Sequence, residues 1–328
     1  MDTEILIIGS GMVGMSLAHQ LKKRSISNKI TILEKENDIG KHSSGRNSGV
    51  VHAGIYYKPG SLKANVCIEG AKMLKSWVKD NELDIYNCGK VITPQDKELD
   101  SQLEVLYERG IENGAEVRFI NEKEFYDKLP FARTSTGRAL WSPNTSVVNP
   151  MQVLKKLEAK LKDLDIRILK GESSYLVDEF SKTIQLKNKK RISYKYLFNC
   201  GGSNAVEIAR NFNAAENYIL MPFKGMYWDL KQTSPFSIET NLYPVPDINV
   251  PFLGVHFTPS VGANNKVTIG PTATLALGSE NYYGINSIEP VNSIRNISIL
   301  VSQFLNDKNG MRKYVIDQLP LSFERYML

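Results

Sequence analysis

A strand, a glycine-rich turn, a helix and a second strand follow one another between Glu4 and Glu34, and that order constrains this chain more than any other feature. Ile5-Leu6-Ile7-Ile8 is a continuous apolar run, the pattern of a strand buried on both faces. Gly9-Ser10-Gly11-Met12-Val13-Gly14 follows at once as G-x-G-x-x-G, and Gly14, Leu17, Ala18 and Leu21 then recur on one helical face. Lys22, Lys23 and Arg24 fall in the last turn, where cations suit the negative end of a helix. Lys29-Ile30-Thr31-Ile32-Leu33 reads as the second strand and ends in Glu34.

Each residue has a mechanical job in such a unit. Gly9 permits the tight turn, Gly11 lets the backbone approach a diphosphate, and Gly14 lets helix and strand pack closely. The helix start at Met12 and Val13 offers free amides and a positive partial charge to that diphosphate. Glu34 lies about 20 residues beyond the last glycine, where a carboxylate accepts hydrogen bonds from ribose hydroxyls. A lone G-x-G-x-x-G would suit any tight strand–helix turn. The full sequence of strand, glycines, helix, strand and acid favours a dinucleotide.

FAD is favoured over a nicotinamide cofactor by what comes next. A nicotinamide fold would run on through alternating helices and strands. Here Lys35 leads into a long polar loop with Ser43, Ser44, Gly45, Arg46, Asn47, Ser48 and Gly49 before Val50. Such a loop can lay amides and hydroxyls along an extended FAD.

Composition excludes several other classes. The 328 residues are 42% apolar and 23% charged, which is globular, and the length suggests roughly two domains. Cys67, Cys88 and Cys200 are odd in number and far apart, so a reducing, cytoplasmic setting is expected rather than a disulfide framework. The four histidines show no zinc-ligand spacing with cysteine, and no metal is expected. The net charge of +6 is spread over solvated stretches such as Lys155 to Lys162 and Lys187 to Arg191. No nucleic-acid partner is expected from that distribution, and weak attraction to an anionic membrane surface stays open. The acidic start at Asp2 and Glu4 does not suit a leader, and Ile5 to Leu21 is too short and too broken by glycine to span a bilayer.

The stretch from Ser48 to Ala64 (SGVVHAGIYYKPGSLKA) resembles the L-2-hydroxyglutarate oxidase/dehydrogenase branch of the D-amino-acid-oxidase-like FAD family. The likeness returns in Tyr86 to Lys90, Pro222 to Gly225, Tyr243 to Asp247, Pro251 to His256 and Gly270-Pro271. It implies an α/β fold in which a Rossmann-like FAD domain is interleaved with a smaller mixed-sheet α+β substrate domain. The expected bounds are residues 1–82 and 145–212 for the first, and 83–144 and 213–328 for the second. It also implies that the strand Tyr196 to Asn199 runs into Cys200-Gly201 beneath the FAD. Family members carry a further strand and helix that return over the flavin ring, whereas this chain stops at Leu328, so closure of the flavin site is in question.

Elsewhere, Ser61 reads as the cap of a helix carrying Leu62, Val66, Met73, Leu74 and Trp77. Asn149-Pro150 opens another with Leu154, Leu157, Leu161 and Leu164 on one face. From Phe223 to Gly270 the chain reads as strands, with alternation from Leu253 to Phe257.

The resemblance implies oxidation of a small 2-hydroxy acid, L-2-hydroxyglutarate foremost, to the 2-oxo acid, with oxygen or a quinone as electron acceptor and peripheral attachment at the inner membrane face open. His52, between Gly49 and Gly54, is the candidate base or hydrogen-bond partner at the flavin. Tyr56 and Tyr57 are candidates to reach substrate, His256 to ligate it, and Lys224 to bind a carboxylate. The blander readings are core packing for the rings and a solvated strand end for the lysine. Two rival functions remain: an amine or amino-acid oxidase on the same fold, and a non-catalytic remnant that retains nucleotide affinity.

Overall fold

A computed structural model describes residues 2–173, 175–231, 233–235, 237–246, 254–262, 266–307 and 312. The chain opens with β1 (Ile5–Ile8), α1 (Met12–Lys23) and β2 (Ile30–Leu33). It continues through β3 (Val50–Val51), α2 (Leu62–Asp80), β4 (Ile85–Tyr86), β5 (Lys90–Thr93), α3 (Asp100–Glu112), β6 (Arg118–Asn121), α4 (Glu122–Lys128), β7 (Arg138–Ser142) and β8 (Ser146–Val148). Then come α5 (Pro150–Asp163), β9 (Arg167–Leu169), β10 (Tyr175–Asp178), β11 (Thr183–Leu186), β12 (Arg191–Ser193), β13 (Tyr196–Asn199) and α6 (Ala205–Arg210). The last described elements are β14 (Phe223–Asp229), β15 (Asn241–Pro244), β16 (His256–Pro259), β17 (Val267–Leu275) and α7 (Pro290–Leu305).

The chain divides into two compact units, residues 1–47 with 150–222 and residues 48–149 with 223–328. The sequence places 48–82 and 145–149 with the nucleotide unit; in the structure these residues group with the second. Strand pairing is the physical reason. Val50 and Val51 pair with Val147 and Ser146 of β8, and Ile55 packs in one cluster with Leu103, Leu140 and Tyr243. Residues 213–222, conversely, fall in the first unit.

In the first unit the sheet order is β13-β1-β2-β9, and every pair is parallel. All four residues of β1 are buried, as strands covered on both faces require. On one face Leu6, Ile8 and Leu33 pack with Ile184, Leu186 and Ile192 of the antiparallel ribbon β10-β11-β12. Helices α1 and α5 pack on each other, burying Met15, Ala18, Leu154, Leu157 and Leu161.

In the second unit a seven-stranded mixed sheet runs β14-β17-β16-β15-β5-β7-β6, beside a small sheet β3-β8-β4. Its one parallel pair among the described strands is β15 with β5. Residue alternation sorts the faces: Ile92 and Tyr243 join Leu103 and Leu106 of α3, while Val91 joins Ile120 and Phe125 on the other side. The alternation expected from Leu253 lies partly outside the described residues, as do Asp247 and Pro251 to Leu253. Ser61 does cap α2, accepting from the Ala64 amide at 3.2 Å. The apolar stripe of α2 is only half used, because Leu62 and Val66 are exposed while Leu74 and Trp77 are half-buried. No helix among the described residues is long and apolar enough to cross a membrane.

Candidate functional site

The glycine turn of the first unit is built as its spacing predicts. Gly9 has φ +102, and a Cβ there would lie 2.3 Å from the Cys200 carbonyl oxygen. Gly14 has no unusual φ, but its Cβ would lie 2.0 Å from the Gly9 carbonyl oxygen, so only glycine lets α1 seat against the turn. Parallel pairing of β13 with β1, extended by the Cys200 amide donating to Ile8 O at 2.8 Å, brings Cys200 and Gly201 beside Gly9.

Glu34 closes the turn from the end of β2. Its buried carboxylate accepts from the Ser10 amide at 2.9 Å, the Ser10 hydroxyl at 2.7 Å and the Glu36 amide at 3.0 Å. At the start of α1 the Met12 amide donates to Ser44 Oγ at 2.9 Å. The Val13 and Gly14 amides have no partner among the described residues, and no side chain caps the helix. Two unpaired amides at a positive helix end, a glycine cradle and a carboxylate at the strand tip fit the adenosine diphosphate half of a dinucleotide. The polar loop beside them is self-supporting. Arg46 Nε donates to Lys41 O at 2.7 Å, Asn47 Nδ2 to Ser43 O at 3.1 Å, and Lys35 pairs with Glu36.

Ser48, Gly49 and Val50 belong to the second unit, where Gly49 O accepts from the Val148 amide at 2.9 Å. His52 follows β3 directly and stands in a cluster made by the central sheet. Parallel pairing sets Asn241 against Lys90 and Tyr243 against Ile92, so the two strands turn Lys90 and Tyr243 to one face. His256 on β16 stacks on Tyr243 with ring centroids 4.0 Å apart at 15°. His52 meets Tyr243 edge-on at 6.3 Å.

Lys90 lies at the centre of this cluster and is 1% exposed. Its Nζ is 3.4 Å from His52 Nδ1, 4.6 Å from the centroid of Tyr56 and 4.7 Å from that of Tyr243. No carboxylate pairs with it among the described residues. Burial pulls its ammonium down to about 7. Burial, with Lys90 and His256 adding to it, pulls His52 down to about 3. Burial likewise lowers His256 to about 4, while its Nδ1–H donates to Gly254 O at 3.1 Å. The Tyr56 hydroxyl and Asn241 Oδ1 are buried without a hydrogen-bond partner among the described residues. Burial raises the Tyr56 phenol well above its ordinary value, so it is a neutral donor.

Of the residues singled out in the sequence, His52, Tyr56 and His256 therefore meet in one cluster. Tyr57 does not join it; its ring carries Lys63 Nζ at 5.0 Å. Lys224, half-buried at the start of β14, donates to Asn281 Oδ1 at 3.1 Å and is also outside it. Lys90 was missed. A lysine heading a strand reads as solvated, and the available signal was its position before the apolar Val91-Ile92.

A family model described as FAD dependent oxidoreductase matches residues 4–305. The chain is 36% identical over 298 residues to a mitochondrial L-2-hydroxyglutarate dehydrogenase of Dictyostelium discoideum, covering 85% of this chain and 66% of that protein. To the mitochondrial enzyme of that name from Homo sapiens it is 34% identical over 293 residues, with coverages of 85% and 62%. To the L-2-hydroxyglutarate dehydrogenase of Indibacter alkaliphilus it is 35% identical over 285 residues, with coverages of 86% and 70%. The chain thus spans less than two thirds of the length of the first two. Among solved structures, an FAD-bound L-alpha-glycerophosphate oxidase from Mycoplasma pneumoniae aligns with a TM-score of 0.72 at 20% identity, covering 91% of this chain and 78% of that one. An L-proline dehydrogenase from P. horikoshii aligns with 0.71 at 15%, covering 93% and 78%. At such identities these two establish a shared fold.

Proposed function

This chain belongs to the family of FAD-dependent oxidoreductases, and we propose that it oxidises a 2-hydroxy acid, L-2-hydroxyglutarate above others, to the 2-oxo acid. The observation that carries the substrate is the likeness, over most of the chain, to relatives bearing that enzyme's name. Bound FAD supplies the two-electron acceptor for the hydride at the substrate C2. Gly9, Gly11, the unpaired amides of Val13 and Gly14, Ser44 with the Met12 amide donating to it, and Glu34 hold its adenosine diphosphate half. Lys35, Ser43, Arg46, Asn47, Cys200 and Gly201 line the rest of its path through the first unit.

His52 receives the hydroxyl proton. With Nδ1 facing Lys90, its Nε2 makes no hydrogen bond among the described residues and is the nitrogen left for substrate. The Tyr56 hydroxyl, orphaned and neutral, donates to a substrate oxygen. A dicarboxylate needs cationic partners, and Lys224 is the residue we assign to one carboxylate. His256, buried and stacked, holds Tyr243 in place and reaches substrate only through it. Electrons leave to oxygen or a quinone, in the cytoplasm or at the inner face of a membrane.

The test is anaerobic mixing of the purified flavoprotein with a panel of acids while the visible flavin band is followed. L-2-Hydroxyglutarate is expected to bleach the band faster than its D-enantiomer, lactate, sarcosine or L-amino acids. Bleaching by amino acids alone would replace this reading with an amine oxidase. Purified protein with no flavin band and no response to added FAD would mark a non-catalytic remnant.

A further inference from the structure

Burying a lysine with no carboxylate beside it is unfavourable, and a purely structural position would be filled by an apolar side chain or an ion pair. Lys90 is nevertheless held at the first residue of a central strand, between two tyrosine rings and against a histidine nitrogen. The groups that face it are His52 after β3, Tyr56 in the loop that follows, Cys67 of α2, Cys88 before β5, Tyr243 of β15 and His256 of β16. None of these carries a negative charge at neutral pH, since burial raises both thiols and both phenols. The cluster therefore tolerates the amine, and the faces of Tyr56 and Tyr243 give the ammonium some stabilisation once it forms.

We propose that Lys90 stores the proton released in the reaction and that His52 relays it, Nε2 accepting from the substrate hydroxyl while Nδ1–H passes to the Lys90 amine. This rests on the oxidation proposed above. The proton count closes: one proton leaves the substrate oxygen, one arrives on Lys90 Nζ, and His52 holds a single proton before and after, having changed tautomer. No electrons move in the relay. A relay also avoids an imidazolium, which burial opposes and the Lys90 and His256 charges oppose further, together pulling His52 down to about 3. Lys90, near 7, is partly free amine at neutral pH and can take what His52 cannot keep. Lys90 is thus a positioning and proton-storing residue that acts through His52.

The experiment compares wild type with Lys90→Met, Lys90→Arg and His52→Gln as purified flavoproteins. Anaerobic flavin reduction in the wild type should rise with pH through about 7. Lys90→Met should lose that limb and slow by roughly 10²- to 10⁴-fold, the usual range for a general base. Lys90→Arg keeps the charge but cannot release a proton, so it should be as slow. Lys90→Met should also retain FAD and melt no lower than wild type, which a packing defect would not permit. A Lys90→Met enzyme with wild-type rate and the same pH limb overturns the proposal. NMR of labelled lysine and histidine needs no substrate: Lys90 is expected to titrate near 7, with the His52 tautomer changing alongside. Titration near the ordinary value of about 10.4 overturns the relay by itself. A wild-type flavin that no 2-hydroxy acid bleaches would instead overturn the substrate reading, leaving the titration to be judged alone.

Discussion

Gly11 and Gly14 stand three residues apart in one turn, and alanine at each should fail in a different way. At Gly14 a Cβ would lie 2.0 Å from the Gly9 carbonyl oxygen and 3.2 Å from Ile7 Cγ2. Both neighbours are fixed, one as backbone and the other in a strand buried along its length. Restoring ordinary contact requires α1 to lift from the turn by about 1.4 Å, and overpacking of that kind costs roughly 1–3 kcal/mol or more. At Gly11 the nearest atom is Ser44 Oγ at 2.8 Å, the end of a side chain that can rotate. Rotation gives up the hydrogen bond from the Met12 amide, worth about 1 kcal/mol. Thermal unfolding and FAD fluorescence titration read the two effects separately. Gly14→Ala should lower the melting temperature by several degrees and lose FAD through misfolding of the turn, at roughly 2–4 °C per kcal/mol for domains of this size. Gly11→Ala should melt within about 4 °C of wild type and still bind FAD at least tenfold more weakly, because its methyl occupies the diphosphate approach. Equal destabilisation by both, or unchanged FAD affinity in Gly11→Ala, would refute this account of the turn.

Glu34→Gln leaves one buried donor, the Ser10 or Glu36 amide, facing an NH₂ group, so stability should fall by about 1–3 kcal/mol in a denaturant titration and FAD affinity with it. Lys224→Met should raise KM for L-2-hydroxyglutarate by about tenfold or more with kcat little changed, the signature of lost carboxylate binding; an unchanged KM removes Lys224 from the site. Arg138 donates to Asp100 at 3.1 Å and holds that carboxyl below the usual range. Its stabilisation is therefore complete above the unfolded value of about 3.9 and is lost as pH falls through the lower folded value. Asp100→Asn should cost at most about 1 kcal/mol at pH 7, given partial exposure, and the two proteins should converge in strong acid.

The nucleotide unit was legible because its information is local. The run Ile5 to Ile8, the glycine spacing and the acid at Glu34 lie within a short stretch, and each constrains its neighbour. The cluster around His52 was legible only in part. Lys90 became a buried residue through parallel pairing with a strand far downstream, whose Tyr243 and neighbouring His256 close over it. Nothing near Lys90 in the chain announces that pairing. The unit boundary failed for a similar reason: Val50 and Val51 look continuous with the polar loop before them, but their hydrogen bonds go to β8. In α2 periodicity identified the helix correctly, yet it could not show that Leu62 and Val66 stay exposed.

The most direct measurement is anaerobic reduction of the bound flavin by L-2-hydroxyglutarate carrying deuterium at C2, with the product quantified. The expected result is one 2-oxoglutarate per flavin bleached, with a primary isotope effect on the rate. A flavin that stays oxidised, or bleaches without forming 2-oxoglutarate, would contradict it.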